Sequence, residues 1–321
     1  MNKARIFLEK YKQSPSFLLF IGLLSSLFFT VTFLINRSIS LEGGHWFYSG
    51  GLRLIYAIVF FSVGFIIFKG FPYFKLIIKE YLDNFKFWTI AGTIGFGFFY
   101  SLLCYSAAFS PAWIVATTWQ ITIISSLFIL TFFGKKLSKR IWSYTIFIFL
   151  GIILVNASYF DINNIKTLLL GSIPVIIASF CYPLGNQMVW EEKHKRKEVK
   201  KDLKIIDNSF AKVFLLMLGS FPFWIILYFL CDPVSPKLSQ YISVAVITII
   251  SGIIATSLFL YARSNANTSS KLMLVDSTQA SQVFFALSGE MIFFNATFPN
   301  IIGIIGLLIT VIGLIAITKS K

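Results

Sequence analysis

Apolar runs of about 20 residues, each long enough to cross a bilayer as a helix, recur along the chain with short polar breaks between them. Windows of about 19 residues place these runs near 17–36, 46–68, 87–109, 112–133 and 141–157, and again near 167–190, 209–230, 240–262, 270–293 and 299–317. Ser110-Pro111 reads as a tight turn between two of them, and Gly134-Lys135-Lys136 and Asp232-Pro233 as chain reversals. The pattern predicts an all-α integral membrane protein with ten transmembrane helices. The run from Phe17 to Ile35 follows a basic segment but carries no small-residue cleavage signal. It is read as a first membrane helix and not as a removable signal peptide.

Two polar segments are longer than turns. Phe71, Phe74, Ile78, Tyr81, Leu82 and Phe85 recur at helical spacing opposite Lys75, Lys79 and Lys86, the pattern of an amphipathic helix lying on a membrane surface. The stretch from Glu191 to Asp207 mixes acids and bases without an apolar stripe, and is read as a solvated helix or linker.

Composition agrees with the pattern. Of the 321 residues 57% are hydrophobic and 13% charged, about half the charge of a soluble domain, so a soluble globule is excluded. Cys104, Cys181 and Cys231 show no Cys-x-x-Cys spacing, and His45 and His194 have no partner at metal-ligand spacing. No cofactor or metal is expected.

The formal net charge of +15 would in a soluble protein point to nucleic acid. Here the basic residues follow alternate loops instead. With the N-terminus inside, 23 Lys and Arg fall on the inner side against three outside, Arg37, Lys166 and Lys237, while Arg53 and Lys212 lie within spans. This bias sets orientation and predicts a cell-membrane protein with both termini cytoplasmic and no nucleic-acid partner.

Spacings also repeat. Tyr105 and Tyr261 are 156 residues apart, and Gly134 and Gly289, like Gly151 and Gly306, are 155 apart. Five spans per copy is an odd number, so the second copy enters the membrane in the opposite sense. Inverted repeats of this kind build many secondary transporters, with the solute site at the repeat interface. The organisation expected is a cytoplasmic N-terminus at 1–16, a first five-helix repeat at 17–157, the sixth helix within 158–190, a charged cytoplasmic loop at 191–208 and the rest of the second repeat at 209–318.

Ionisable groups inside a bilayer are costly and mark functional sites. Arg53, Asp276 and Glu290 are the three that lie more than a turn from an interface. Arg53 admits three readings: snorkelling to headgroups, a structural ion pair, or contact with an anionic or carbonyl group of a solute. Asp276 reads as an interfacial cap or as a proton carrier. On the fourth span Trp113, Thr117 and Gln120 share a face at i, i+4, i+7, and an amide against lipid would lose its hydrogen bonds, so this face is expected inside. Tryptophans there bind flat aromatic or cationic compounds, or else serve as anchors and packing residues. Gln120 and Asp276 are 156 apart, and Gln279 and Gln282 extend the second polar face. Trp119, Gln120, Tyr105, Trp113, Arg53 and Gln279 are the substrate-binding candidates, and Asp276 and Glu290 the coupling candidates.

Pro174, Pro183 and Pro222 fall inside spans as hinge or shape elements. Gly92-Thr-Ile-Gly95-Phe-Gly97 has no strand before it, and is read as close helix packing.

The two five-helix halves, the Gly289-Glu290 pair and the run Ser110-Pro-Ala-Trp-Ile-Val-Ala-Thr-Thr-Trp-Gln120 resemble the drug/metabolite transporter superfamily. Together with Tyr182-Pro-Leu-Gly-Asn-Gln187 they are similar to its multidrug resistance efflux transporter branch. The resemblance implies efflux of small organic solutes, and a mainly structural Gly-Glu position at Glu290. The four-helix small multidrug transporters of this superfamily carry a membrane glutamate in their first helix. Phe17 to Ile35 contains no acid, so their proton scheme does not transfer.

The expectation is a secondary transporter and not an enzyme, with a small organic solute, the bilayer, protons and a second copy of the chain as candidate partners. A facilitator, exchanger or uptake carrier stays open at this point, as does a membrane scaffold or sensor without transport.

Overall fold

A computed structural model describes residues 12–134, 139–158, 165–199 and 204–319. The basic residues Lys3, Arg5, Lys10, Lys135, Lys136, Lys200, Lys201 and Lys321, which entered the orientation count, lie outside the described residues. The elements in order are α1 (Pro15–Leu41), α2 (Trp46–Lys69), α3 (Phe71–Asp83), α4 (Phe85–Gly92), a π-helical segment (Thr93–Phe98), α5 (Phe99–Ser106), α6 (Ala112–Trp119), α7 (Ile121–Phe132) and α8 (Lys139–Ser158). They continue with α9 (Ile165–Glu198), α10 (Ser209–Cys231), α11 (Leu238–Ile247), a second π-helical segment (Thr248–Ala255), α12 (Thr256–Asn265), α13 (Ser269–Ser277), a 3₁₀ turn (Thr278–Ser281), α14 (Gln282–Phe293) and α15 (Ile301–Lys319). No strand occurs among the described residues.

Among the described residues seven helical paths are long and apolar enough to cross a membrane: α1, α2, α4 through α5, α6 through α7, α9, α10, and α11 through α12. Trp142–Ser158 and Ile301–Ala316 are shorter apolar helices. Side chains such as Phe68, Phe132, Phe229 and Ile312 point outward in the way a lipid-facing surface requires.

Local sequence sets the helix starts. Ser14 caps α1, its Oγ accepting from the Phe17 N–H at 3.3 Å with Pro15 at the first position. Asn208 caps α10, accepting from the N–H groups of Phe210 and Ala211 at 2.9 and 3.1 Å. Asp232, at φ 40°, ends that helix in the left-handed conformation at the reversal expected before Pro233.

With lipid as apolar as leucine, helix association rests on close packing and hydrogen bonds. The glycines supply the approach. A Cβ on Gly185 of α9 would meet Gly95 Cα at 2.5 Å, and one on Gly219 of α10 would meet the Trp88 carbonyl oxygen at 1.9 Å. The Gly92 to Gly97 run is thus a packing surface. Around it Phe47, Leu54, Trp88, Phe214 and Trp224 form the largest buried cluster.

The charged stretch is helical as far as Glu198 and mostly exposed or half-buried, with Arg196 the exception among its described charged residues. Instead of ending near 190, α9 continues to Glu198 and carries Arg196, which is 3% exposed, onto α3. There the guanidinium pairs with Glu80 at 2.9 Å and Glu192 at 2.7 Å. Glu80 also accepts from Trp88 Nε1 and Asn84 Nδ2 at 3.0 and 3.1 Å. On α3, Phe74, Ile78 and Tyr81 pack inward while Phe71 and Leu82 are exposed.

Candidate functional site

Four helical paths lose α-helical regularity near their middles. Between α6 and α7, Gln120 N bonds to the Thr117 carbonyl and Ile123 N to the Gln120 carbonyl, both one residue tighter than an α-helix. The carbonyls released from the ladder find side chains: Ala116 O accepts from Gln120 Nε2 at 3.2 Å, and Trp119 O from Thr122 Oγ1 at 2.6 Å. In the 3₁₀ turn before α14, Thr278 Oγ1 and Ser281 Oγ donate to the Val275 and Thr278 carbonyls at 2.7 and 2.6 Å. The polar residues at 117–126 and 277–282 therefore satisfy irregular backbone where water is scarce. The third and fourth irregular stretches are the two π-helical segments, a distortion that recurs at functional sites.

A cavity of about 470 Å³ lies where these stretches converge, within the range for a drug-sized ligand. Its wall includes Thr32 and Phe33 of α1, Arg53 of α2, Phe96 to Leu103 across the first π segment, Trp119 and Gln120, Tyr182 of α9, Thr248 to Thr256 across the second π segment, and Gln279 and Gln282. At one end of the bundle, where the chain passes from α12 to α13 and into α10, Ser209, Phe210, Phe259 and Leu260 extend the wall. This is the end that bears Arg196 and Arg263, and is called the basic end below.

Arg53 is 7% exposed. Its Nη1 donates to Thr32 Oγ1 at 3.2 Å, Thr32 Oγ1 donates to Ser251 Oγ at 2.6 Å, and the guanidinium lies 4.8 Å from the Tyr100 ring centroid. Trp119, Phe99 and Tyr182 form an aromatic cluster, with Phe99 at 4.9 Å from Trp119 and 5.0 Å from Tyr182. Gln282 Nε2 donates to Gln279 Oε1 at 2.6 Å, while Gln279 Nε2 has no partner among the described residues.

The cavity wall brings together Arg53, Trp119, Gln120 and Gln279 from the sequence candidates. The others sit elsewhere. Tyr105 stacks edge-on with Trp46 at 5.4 Å, near the end opposite the basic one. Trp113 lines a separate hollow with Arg37 and Glu290. Glu290 Oε1 accepts from the Ala112 N–H and so satisfies an orphan donor at the start of α6. Asp276 pairs with Arg263 at 2.5 Å, both partly exposed. Among the described residues no three His, Cys, Asp or Glu side chains come together as a metal site would need.

Sequence reasoning did not single out Thr32, Tyr100 or Ser251 as site residues. The signal for Thr32 and Ser251 was one hydroxyl among several in apolar runs, with Thr30 beside the first and Thr248 beside the second, and such hydroxyls often bond to a carbonyl of their own helix.

Opposite the basic end, contacts run across the bundle. Gln240 Nε2 donates to the His45 carbonyl at 2.8 Å and to Ser49 Oγ at 3.2 Å, Arg37 Nη1 donates to the Ala107 carbonyl at 3.2 Å, and Phe47 packs on Trp224 with ring centroids 5.6 Å apart.

Known proteins agree with this architecture. A solved crystal structure matches with a TM-score of 0.58 at 14% identity, covering 96% of this chain and 97% of that one, a likeness of fold. The uncharacterized protein YjlA of Bacillus subtilis (strain 168) is 32% identical over 317 residues, 94% of each chain. An uncharacterized 42.1 kDa protein of Shouchella clausii is 31% identical over 258 residues, which is 75% of this chain and 63% of that protein. The EmrE family model, described as "Putative multidrug resistance efflux transporter", matches residues 17–321. With its apolar helices, the chain is a multi-pass membrane protein that belongs to this family of multidrug resistance efflux transporters.

Proposed function

We propose that the protein is a secondary transporter that exports small organic solutes across the cell membrane by alternating access, with both termini cytoplasmic. The observation that carries this reading is the central cavity, walled by irregular helix segments and extended toward the basic end, with hydrogen bonds and ring packing crossing the bundle at the other. With the basic end cytoplasmic, this is the inward-facing arm of an alternating-access cycle.

Ten spans in two inverted five-helix repeats account for the placement of these segments. The π-helical segments begin at Thr93 and Thr248, 155 residues apart, the offset already noted for Gly151 and Gly306. Those two glycines face one another: a Cβ on Gly151 would meet the Gly306 carbonyl oxygen at 2.8 Å, and one on Gly306 the Gly151 carbonyl oxygen at 2.7 Å. Ser125 Oγ donates to the Ser179 carbonyl, and Ser281 Oγ lies within hydrogen-bond distance of Ser26 Oγ, which ties the fourth helix of each repeat to the first helix of the other in this reading. A pseudo-twofold axis in the membrane plane relates such pairs. The repeats then comprise 17–157 and 158–318, with 1–16 and the remainder of 191–208 beyond Glu198 as cytoplasmic segments.

Trp119, Gln120, Arg53 and Gln279 form the solute site in this reading. Tyr105 and Trp113 reach the solute path when the outer end opens. Proton coupling through Asp276 requires release of its bond to Arg263, and Glu290 stays a structural cap. A facilitator or exchanger is the second reading, favoured by one observation: among the described cavity-wall residues there is no Asp or Glu.

Everted vesicles from expressing cells, assayed with a pool of labelled cationic, neutral and anionic solutes, test the proposal. Accumulation of at least one solute class that is lost in both Trp119→Ala and Gln120→Ala, with the proteins still folded, is expected. Unchanged accumulation in both variants sinks the site. Collapse of the pH gradient abolishes flux in the coupled reading and leaves exchange untouched in the second.

A further inference from the structure

The cavity wall carries a cation that none of its described residues neutralises. Arg53 is the only charged side chain among the described wall residues, and it is 7% exposed. Among the described residues no carboxylate lies within 4.0 Å of its guanidinium, and the acids embedded in the bundle are occupied elsewhere: Asp276 on Arg263, Glu290 on the Ala112 N–H. Of the five N–H donors of an arginine, one has a partner among the described residues, Thr32 Oγ1.

Other donors face the same space. Thr32 spends its proton on Ser251 Oγ, so the Ser251 hydroxyl is left to donate onward from a position one hydroxyl removed from Arg53. Gln279 Nε2 is buried, lines the cavity and has no acceptor among the described residues. Phe99, Tyr100, Trp119 and Tyr182 supply flat apolar surface around these donors.

Resting on the reading of this cavity as the solute site, we propose that it selects a ring-bearing organic monoanion, a carboxylate seated on Arg53, and disfavours the cations that tryptophan-lined sites commonly bind. A carboxylate accepts the paired N–H groups of a guanidinium in a planar, bidentate fit, with charge-assisted bonds that strengthen where water is excluded. A cation on the same aromatic wall meets Arg53 as a like charge in a medium of low dielectric. One fixed positive charge matches one negative charge on the solute. The ring lies on the Phe99, Trp119 and Tyr182 cluster while Ser251 and Gln279 add hydrogen bonds to the carboxylate end.

The test uses the full chain purified in detergent and a panel of ring-bearing carboxylates of about 10 to 20 heavy atoms, the size such a cavity admits. It includes 3-phenylpropionate, and each acid is compared with its amide and amine isosteres. Binding is read by thermal shift and calorimetry. Members of the carboxylate series are expected to raise the melting temperature and to bind at least about tenfold tighter than their amides, with no shift from the amines. Arg53→Gln removes that preference, and Arg53→Lys keeps its sign while weakening binding.

Arg53→Met, measured without solute, separates this role from a structural one. Its melting temperature stays level or rises, because an uncompensated buried charge is gone. A fall in the melting temperature of Arg53→Met assigns Arg53 to the fold and overturns the proposal. So does amine or amide binding equal to that of the carboxylates, or the absence of carboxylate binding across the panel. Proteoliposome flux distinguishes this failure from that of the transport reading. Flux of a cation or neutral solute that depends on Gln120, without carboxylate binding, leaves transport standing and removes the anion site. Arg53-dependent carboxylate binding without flux does the reverse.

Discussion

Among the described residues two arginines are buried, and their surroundings are opposite. Arg196, at the basic end, is 3% exposed and gripped by Glu80 and Glu192. Arg53, beside the central cavity, is 7% exposed and has a hydroxyl and a tyrosine face but no acid among the described residues. A buried charge retained without a partner is destabilising, whereas a paired one is hard to remove without leaving its partners exposed to the same cost. Arg196 therefore belongs to the contacts that hold α3 against α9, and Arg53 to the cavity proposed above as the solute site.

The largest effect that sharpens this contrast is expected at Arg196. Arg196→Met leaves Glu80 and Glu192 without their cation, and is expected to lower stability by about 3–5 kcal/mol, visible as a large fall in melting temperature in detergent. A fall of the same size at Arg53 would erase the distinction. Next comes Glu80→Gln, which keeps an acceptor for Trp88 Nε1 but removes the charge. A loss of about 1–3 kcal/mol is expected, with tryptophan fluorescence reporting any loosening around Trp88.

Thr32→Val probes the Arg53 side. It removes that guanidinium's polar partner and costs about 1 kcal/mol or less in stability, while solute binding weakens about three- to tenfold. Equal stability loss and unchanged binding would return Thr32 and Arg53 to a packing role. The smallest effect is expected at a third arginine. The Arg263 and Asp276 side chains are 39% and 31% exposed, so Asp276→Asn is expected to cost at most about 1 kcal/mol in high dielectric. If Asp276 carries the coupling proton, the same variant makes flux insensitive to an imposed pH gradient while leaving the melting temperature nearly unchanged.

The contrast between the two arginines was only half legible in the sequence. Arg53 announced itself, because a single charge in an apolar run is conspicuous on any hydropathy window. Arg196 did not, since it lies among six other basic residues between Lys193 and Lys204, and its partner Glu80 is 116 positions away. The charged stretch read as solvated for that reason. The fourth span shows a second limit. Trp113, Thr117 and Gln120 share a face on an ideal helix, yet Trp113 is about 10 Å along the axis from Gln120 and the helix tightens at that residue, so one reaches the cavity and the other does not.

By itself the sequence determined the quantities that need no partner: which stretches are apolar enough to leave water, where a cap or a left-handed residue ends a helix, and which spacings recur between the halves. These follow from the free energy of transferring each segment and from local backbone chemistry, and both are properties of neighbouring residues. Tertiary structure decided which polar groups meet. It closed Glu290 onto the start of α6, drew Asp276 to Arg263, and left Arg53 facing open space with Thr32 and Ser251. Those outcomes depend on distances of a few ångströms between residues tens to hundreds of positions apart, set by how glycine-lined helices cross, and no local pattern records them.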